Sequence, residues 1–252
     1  YMKNKTNSNI LKNYEKNGFV VIKNLFKMKE AKDLEKHTFK FLKKKIKKYN
    51  GRDINFSSEK KNIKNLHSFH KLHDSKKIVN FSKNKKITSI AKALIKTNKL
   101  ELRASEFFAK PKRVGLNTPP HQDNFYWNVK KNKALTIWIA LSPSTKKNGG
   151  VYYYAGSHKK GILKHAASFE KGTSQKIKNI EKLNKFKKSV PKLKVGDALV
   201  HHCLVVHGSK KNLSNISRRG LTFQFKDKDS KYDNKKIKKY EKQLKIQIKK
   251  RQ

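Results

Sequence analysis

A β-sandwich or barrel flanked by helices is the fold this sequence predicts, and three observations predict it. From residue 100 to 225, short apolar runs recur between turn residues, as strands do. Before residue 100 the apolar period is that of helices. The length, 252 residues, suffices for one well-filled domain.

Taken in order, residues 10–26 read as a short helix and then a strand at Phe19-Val-Val-Ile22. Residues 28–49 read as a helix, because Ala31, Leu34, Thr38, Phe41, Leu42 and Ile46 form one apolar stripe among lysines. Residues 50–82 are polar with isolated apolar positions and read as a mobile loop over an active site. His67, His70 and His73 fall in it and are expected to be surface or partly packed side chains; His70 and His73 share a face if the stretch is helical. A second helix is expected over 87–98, with Ile87, Ile90, Ala91, Leu94 and Ile95 inward.

The strands follow. Leu100 to Ala109 is one, stopped by Pro111, and His121 to Trp127 is the next. The continuous apolar run Ala134 to Leu141 reads as a buried strand. Asn148-Gly-Gly150 is a turn into Val151-Tyr-Tyr-Tyr154, whose tyrosines are expected to pack within the strand, with one reaching the pocket. Residues 160–192 form a Lys-rich insertion with little pattern. Strands resume at Leu193 through a Gly196-Asp197 turn, continue through His201 to His207, and end with Arg218 to Phe225. The tail over 230–250 reads as a basic helix packed on the body through Ile237, Tyr240, Leu244 and Ile248.

The formal charge is +48, from 65 basic and 17 acidic residues. Only Arg52, Arg103, Arg113, Arg218, Arg219 and Arg251 are arginines. Surfaces selected to grip phosphate favour the planar guanidinium, so scattered lysine reads first as compositional bias. Nucleic acid remains the alternative partner, since charge of this size attracts polyanions at low salt. The single cysteine, Cys203, allows no intramolecular disulfide. No apolar run approaches the ~18 residues of a membrane span, and Tyr1-Met-Lys-Asn-Lys5 lacks the apolar core of a secretion signal. A soluble, cytoplasmic protein with no membrane partner is the expectation.

The chemistry centres on His121-Gln-Asp123. Along a strand, residues two apart share a face, about 6–7 Å apart at roughly 3.3 Å per residue. Both side chains then reach one metal ion. A further histidine completes two imidazoles and one carboxylate on one side of the ion, the set that suits Fe(II) activating O2. His207 is the best candidate; His158 and His165 are rivals from loops. His201 shares the parity of His207 but lies about 20 Å from it if the strand continues, which excludes it from the same ion. Arg218, eleven residues after His207, is placed to hold a diacid at two points, with Ser209 adding a hydroxyl. Arg219 is its rival.

His121-Gln-Asp123, Trp138 within Leu135-Thr-Ile-Trp-Ile-Ala-Leu141, Asn148-Gly-Gly150, Gly156-Ser-His158, Val195-Gly-Asp197, His207-Gly-Ser209 and Arg218 resemble, in order, the pattern of the phytanoyl-CoA dioxygenase family. Tyr14 to Ile22 resembles its opening strand, so the likeness covers roughly residues 14–226. It departs from the family at Ala155, where proline is usual, and in the insertion. The resemblance implies a double-stranded β-helix (jelly roll) with flanking helices, mainly β, in one domain over 1–252. Residues 1–98 would be a mainly helical flank, 99–226 the core with its insertion at 160–192, and 227–252 a basic helix. It implies Fe(II) held by His121, Asp123 and His207; 2-oxoglutarate held by Arg218, Ser209 and Trp138; O2 as the second co-substrate; and a substrate facing Tyr126 and Trp127. The implied reaction is hydroxylation of a C–H bond of a small metabolite, releasing succinate and CO2. Asp123 favours this over halogenation, which in relatives goes with a small residue there. The alternatives are an oxygenase acting on nucleic acid and a non-catalytic binding member of the fold.

Overall fold

The computed structural model describes residues 4–49, 51–170 and 173–249. The chain opens with α1 (Asn4–Asn17), β1 (Phe19–Ile22) and α2 (Met28–Lys45). At the start of α2 the Glu30 carboxylate accepts from the Lys27 N–H at 2.7 Å, and three lysines in its last turn face the negative end of the helix dipole.

Over residues 51–82, regular structure replaces the expected loop. These residues carry β2 (Ile54–Phe56), β3 (Leu66–Phe69) and α3 (Lys76–Ser82). The apolar residues here are too sparse to show a period, but Ile54, Leu66, Phe69, Leu72 and Ile78 are all buried and anchor the stretch. His70 follows β3 rather than sharing a helical face with His73; its Nδ1 lies 3.0 Å from Glu106 Oε1. Next comes α4 (Lys85–Ile95), capped by the Asn84 side chain and ended where Lys96 turns left-handed, at φ 58°. The predicted helix therefore runs slightly earlier than residues 87–98.

The sandwich is built by a chain that alternates between two sheets. In the large sheet lie β4 (Leu100–Lys110), β6 (Ala134–Ala140), β11 (Ala198–His202) and β13 (Arg218–Asp227). In the small sheet lie β5 (Thr118–His121), β7 (Val151–Tyr154), β10 (Lys188–Ser189) and β12 (His207–Ser209). The orders are β1-β11-β6-β13-β4-β3-β2 and β10-β7-β12-β5, with every named pair antiparallel. This alternation is the jelly-roll topology, and the two sheets do not close into a barrel. Along β13, Leu221, Phe223 and Phe225 face the helices and join Leu34, Leu42, Ile87 and Leu94 in the main core. Each such side chain contributes about 1.5–3 kcal/mol by leaving water. Trp138, Leu199 and Phe19 face the other way and pack against Val151 and Tyr153 of the small sheet.

Two further expectations change. The predicted strand 121–127 stops at His121, and Asp123–Trp127 is a short helix, α5. Its aromatic run imitates strand composition, but Asn128 closes the turn in the left-handed region, where asparagine is tolerated. The insertion is also ordered where described: β8 (His165–Ala167) pairs with β9 (Gln175–Ile177), and Ile177 and Leu183 are buried with Tyr152 and Tyr154.

The tail packs on the body as expected. α6 (Asn234–Lys249) buries Tyr240 and Leu244, and the Tyr240 ring lies 5.7 Å from Tyr126. The side chain of Ile248 falls outside the described residues, as does most of the opening segment Tyr1-Met-Lys-Asn-Lys5. No helix among the described residues is long and apolar enough to cross a membrane.

His67 gives the fold an acid-sensitive point. It is 4 % exposed, and burial, with Lys110 and Arg218 nearby, lowers its pKa from 6.5 to about 3. The folded chain thus excludes a proton that the unfolded chain takes up below about pH 6.5. This contribution is complete above pH 6.5 and is lost as pH falls towards 3. Urea unfolding is expected to show lower stability at pH 4.5 than at pH 7.5, and His67→Leu should flatten that slope.

Candidate metal and diacid site

Two histidines meet because two strands pair. His121 on β5 and His207 on β12 are direct cross-strand partners, with ring centroids 4.4 Å apart. In each, Nδ1 lies near the backbone carbonyl two residues earlier: Pro119 O at 2.9 Å and Val205 O at 3.1 Å. Donation from Nδ1–H leaves the lone pair on Nε2, turned to the site. Asp123 enters from the first turn of α5. Its Oδ1 lies 3.8 Å from His121 Nε2 and 3.6 Å from His207 Nε2. One ligand atom from each of the three residues lies within 4.8 Å of the others, a span one ion can bridge.

The protonation states suit a cation. Burial alone would raise the Asp123 pKa; His207 nearby and the hydrogen bond from His201 outweigh it and hold the carboxyl well below the usual range. Burial pushes His207 down to about 3 and also lowers His121. An ionised carboxylate with two neutral imidazoles is the form a divalent ion requires.

Gln122, between the two ligands, is structural. Its amide is fully buried and donates to Gly161 O at 2.8 Å and Leu204 O at 2.6 Å, while its oxygen accepts from Leu163 N at 2.8 Å. It fastens the strand-to-helix corner to two loops at once.

Arg218 lies on the inner face of β13, 4 % exposed, with its guanidinium carbon 5.2 Å above the Trp138 ring. The indole lies flat because residue 220 is glycine: a Cβ there would stand 1.9 Å from the ring. Burial lowers the Arg218 pKa to about 10, and its Nε has no hydrogen-bond partner. Opposite it in the ladder is Lys110, wholly buried and pushed down to about 6 by burial and by Arg218. A buried guanidinium with an unused donor, beside an amine that an anion would help to protonate, fits an anionic ligand. Ser209, buried on β12, shares the face of His207. Arg219 points to the helices and bonds Glu35 at 2.6 Å.

The remaining candidates are placed as follows. The Tyr126 ring meets His121 edge-on at 5.8 Å. Trp127 packs away from the imidazoles, among Val129, Ala134, Cys203 and Leu204, with Arg103 stacked 4.6 Å above it. His165 stacks on Phe125 at 4.1 Å, and His158 lies 3.1 Å from Glu15 O. His201 corrects the sequence reading. It is not 20 Å away: its ring is 4.5 Å from that of His207, and its Nε2 is 3.0 Å from Asp123 Oδ2. The strand breaks after His202, and residues 203–206 turn the chain back.

Comparison with known proteins points to one family. Phytanoyl-CoA dioxygenase domain-containing protein 1 of Danio rerio is 32% identical over 149 residues, covering 58% of this chain and 51% of that protein. The peroxisomal phytanoyl-CoA dioxygenase of Homo sapiens is 24% identical over 233 residues, covering 87% and 68%. The chain spans about half the length of several of the curated relatives it matches. Among solved structures, EctD from S. alaskensis with bound Fe has a TM-score of 0.74 at 17% identity, covering 92% of this chain and 79% of that one. The epimerase SnoN in complex with Fe3+, alpha ketoglutarate and nogalamycin RO has 0.73 at 17% identity, covering 91% and 87%. These structural matches establish a shared fold. The phytanoyl-CoA dioxygenase (PhyH) family model matches residues 14–220, most of the chain, and the protein belongs to that family.

Proposed function

We propose that this protein is an Fe(II)- and 2-oxoglutarate-dependent dioxygenase that hydroxylates a C–H bond of a small metabolite, with release of succinate and CO2. The observation that carries the reading is a His-Asp-His cluster in the same sandwich as a buried, under-bonded arginine. Iron with 2-oxoglutarate and O2 supplies the oxidising chemistry. His121, Asp123 and His207 would hold the ion, with Nε2 of each imidazole and Oδ1 of the carboxylate turned to one another. Arg218 receives the far carboxylate of the diacid, Ser209 adds a donor, and Trp138 forms the floor beneath the guanidinium. Lys110, whose amine donates to the Leu116 carbonyl, lies opposite Arg218 and takes up a proton more readily once an anion sits there.

Tyr126, edge-on to His121, borders the substrate side, while Trp127 stands behind it and carries Arg103 on its ring. A polar chain on the inner face borders it too, in which Arg103 donates to Gln224, Gln224 donates to Glu106 Oε2 at 2.7 Å, and Glu106 meets His70. Such a wall favours a substrate with hydrogen-bonding groups over a bare hydrocarbon.

The test is succinate formation by purified protein given Fe(II), ascorbate and 2-oxoglutarate across a metabolite panel, at two salt concentrations and with single-stranded DNA and RNA among the samples. Slow release without substrate and stimulation by a metabolite are expected. Stimulation by nucleic acid alone, falling steeply with salt, would replace the metabolite with a polyanion. No succinate under any condition would reject the enzyme.

A further inference from the structure

We propose that His201 and Tyr153 form a positioning pair that restricts Asp123 to binding the ion through one oxygen, Oδ1. The inference rests on the ion-holding role given above to His121, Asp123 and His207.

The Tyr153 hydroxyl lies 3.0 Å from His201 Nδ1, and His201 Nε2 lies 3.0 Å from Asp123 Oδ2. The Thr136 hydroxyl donates to the same Oδ2 at 2.9 Å. All three side chains are buried, and the Tyr153 ring is clamped by Phe19 at 4.3 Å. The order of donors follows. The buried phenol keeps its proton and donates to Nδ1, which leaves the His201 proton on Nε2, pointing at Oδ2. Oδ2 therefore has two donors, while Oδ1 faces the Nε2 atoms of His121 and His207.

A carboxylate that rotated to offer both oxygens would leave two buried donors without an acceptor. The pair thus sets the carboxylate angle before any ion arrives. An ion held by one Asp123 oxygen and one nitrogen from each imidazole would keep positions free for co-substrates. Neither side chain touches the ion; both act through Asp123.

The test uses metal-free protein titrated with Co(II) under argon and read by visible absorption, so no turnover is needed. His201→Phe keeps the ring but removes both hydrogen bonds. It is expected to bind Co(II) roughly 10–100-fold more weakly, the usual cost of losing an outer hydrogen-bond partner, with an altered spectrum as the carboxylate turns. His201→Gln, whose amide N–H can reach Oδ2, should recover most of the affinity. Tyr153→Phe should fall between them. Wild-type affinity and spectrum in folded His201→Phe would overturn the proposal, as would His201→Gln binding no better than His201→Phe. If His201→Phe does not fold, Tyr153→Phe, which removes one oxygen, decides: an unchanged spectrum and affinity overturn it. His121→Ala is the control. If it binds Co(II) as the wild type does, the ion-holding assignment fails, and not the pair.

Discussion

Asp123→Ala is expected to bring succinate formation to background and to weaken Fe(II) or Co(II) binding by more than the roughly 10–100-fold lost with an outer partner. Among the three proposed ligands, Asp123 alone carries negative charge, and both imidazoles are held neutral. Its loss removes the charge that offsets the ion and one of three points of attachment. It also leaves the His201 and Thr136 donors facing an apolar methyl, at about 1–3 kcal/mol for each buried group left unpaired. Asp123→Asn separates these effects, since it keeps the shape and an acceptor but lacks the charge. Anaerobic calorimetry with Co(II), alongside thermal unfolding of the metal-free variants, reads the two independently. Full turnover by Asp123→Ala would remove this residue from the ligand set.

Arg218→Met is expected to lower the affinity for 2-oxoglutarate without lowering stability. The 2-oxoglutarate concentration for half-maximal succinate formation should rise roughly 30-fold or more, the low end of the 2–5 kcal/mol that truncating a buried charged partner costs. The ligand-free protein should be as stable as the wild type or more so. Burial of an under-bonded guanidinium beside Lys110 costs free energy that an apolar side chain of similar length avoids. General damage to the fold would lower both properties together. Arg218→Lys should rescue poorly, because an ammonium cannot make the paired contact. Arg219→Met is the contrasting variant: it breaks the ion pair with Glu35 and should leave the 2-oxoglutarate requirement unchanged.

Where the sequence was legible, one side chain's direction determined the next. On β13, Arg219, Leu221, Phe223 and Phe225 alternate with Arg218, Gly220, Thr222 and Gln224, so one face is oily and the other polar. The structure puts the oily face on the helices and Arg218 inside. β6 was legible as a fully buried strand, and Thr136, the only polar residue in Ala134–Ala140, marks the site by its exception.

What periodicity did not reveal is where a strand stops. Residues 203–206 are Cys-Leu-Val-Val, as apolar as a buried strand, yet they form a turn. His202 holds that turn: its Nδ1 accepts from Leu204 N at 3.0 Å, and its carbonyl accepts from Val205 N at 3.0 Å. No composition rule registers a side chain spent on its own backbone, so His201 looked remote when it is adjacent. The same blindness turned Asp123–Trp127 into a strand. Lys110 was hidden for another reason, because its role depends on register with Arg218 across more than a hundred residues.

The reversal held by His202 acts as a ruler between two imidazoles. A single residue added within it would swing the distal ligand out of register while leaving every recognisable motif of the family in place and in order. The step from His201 to His207 therefore sets two contacts of Asp123 at once, one to each oxygen.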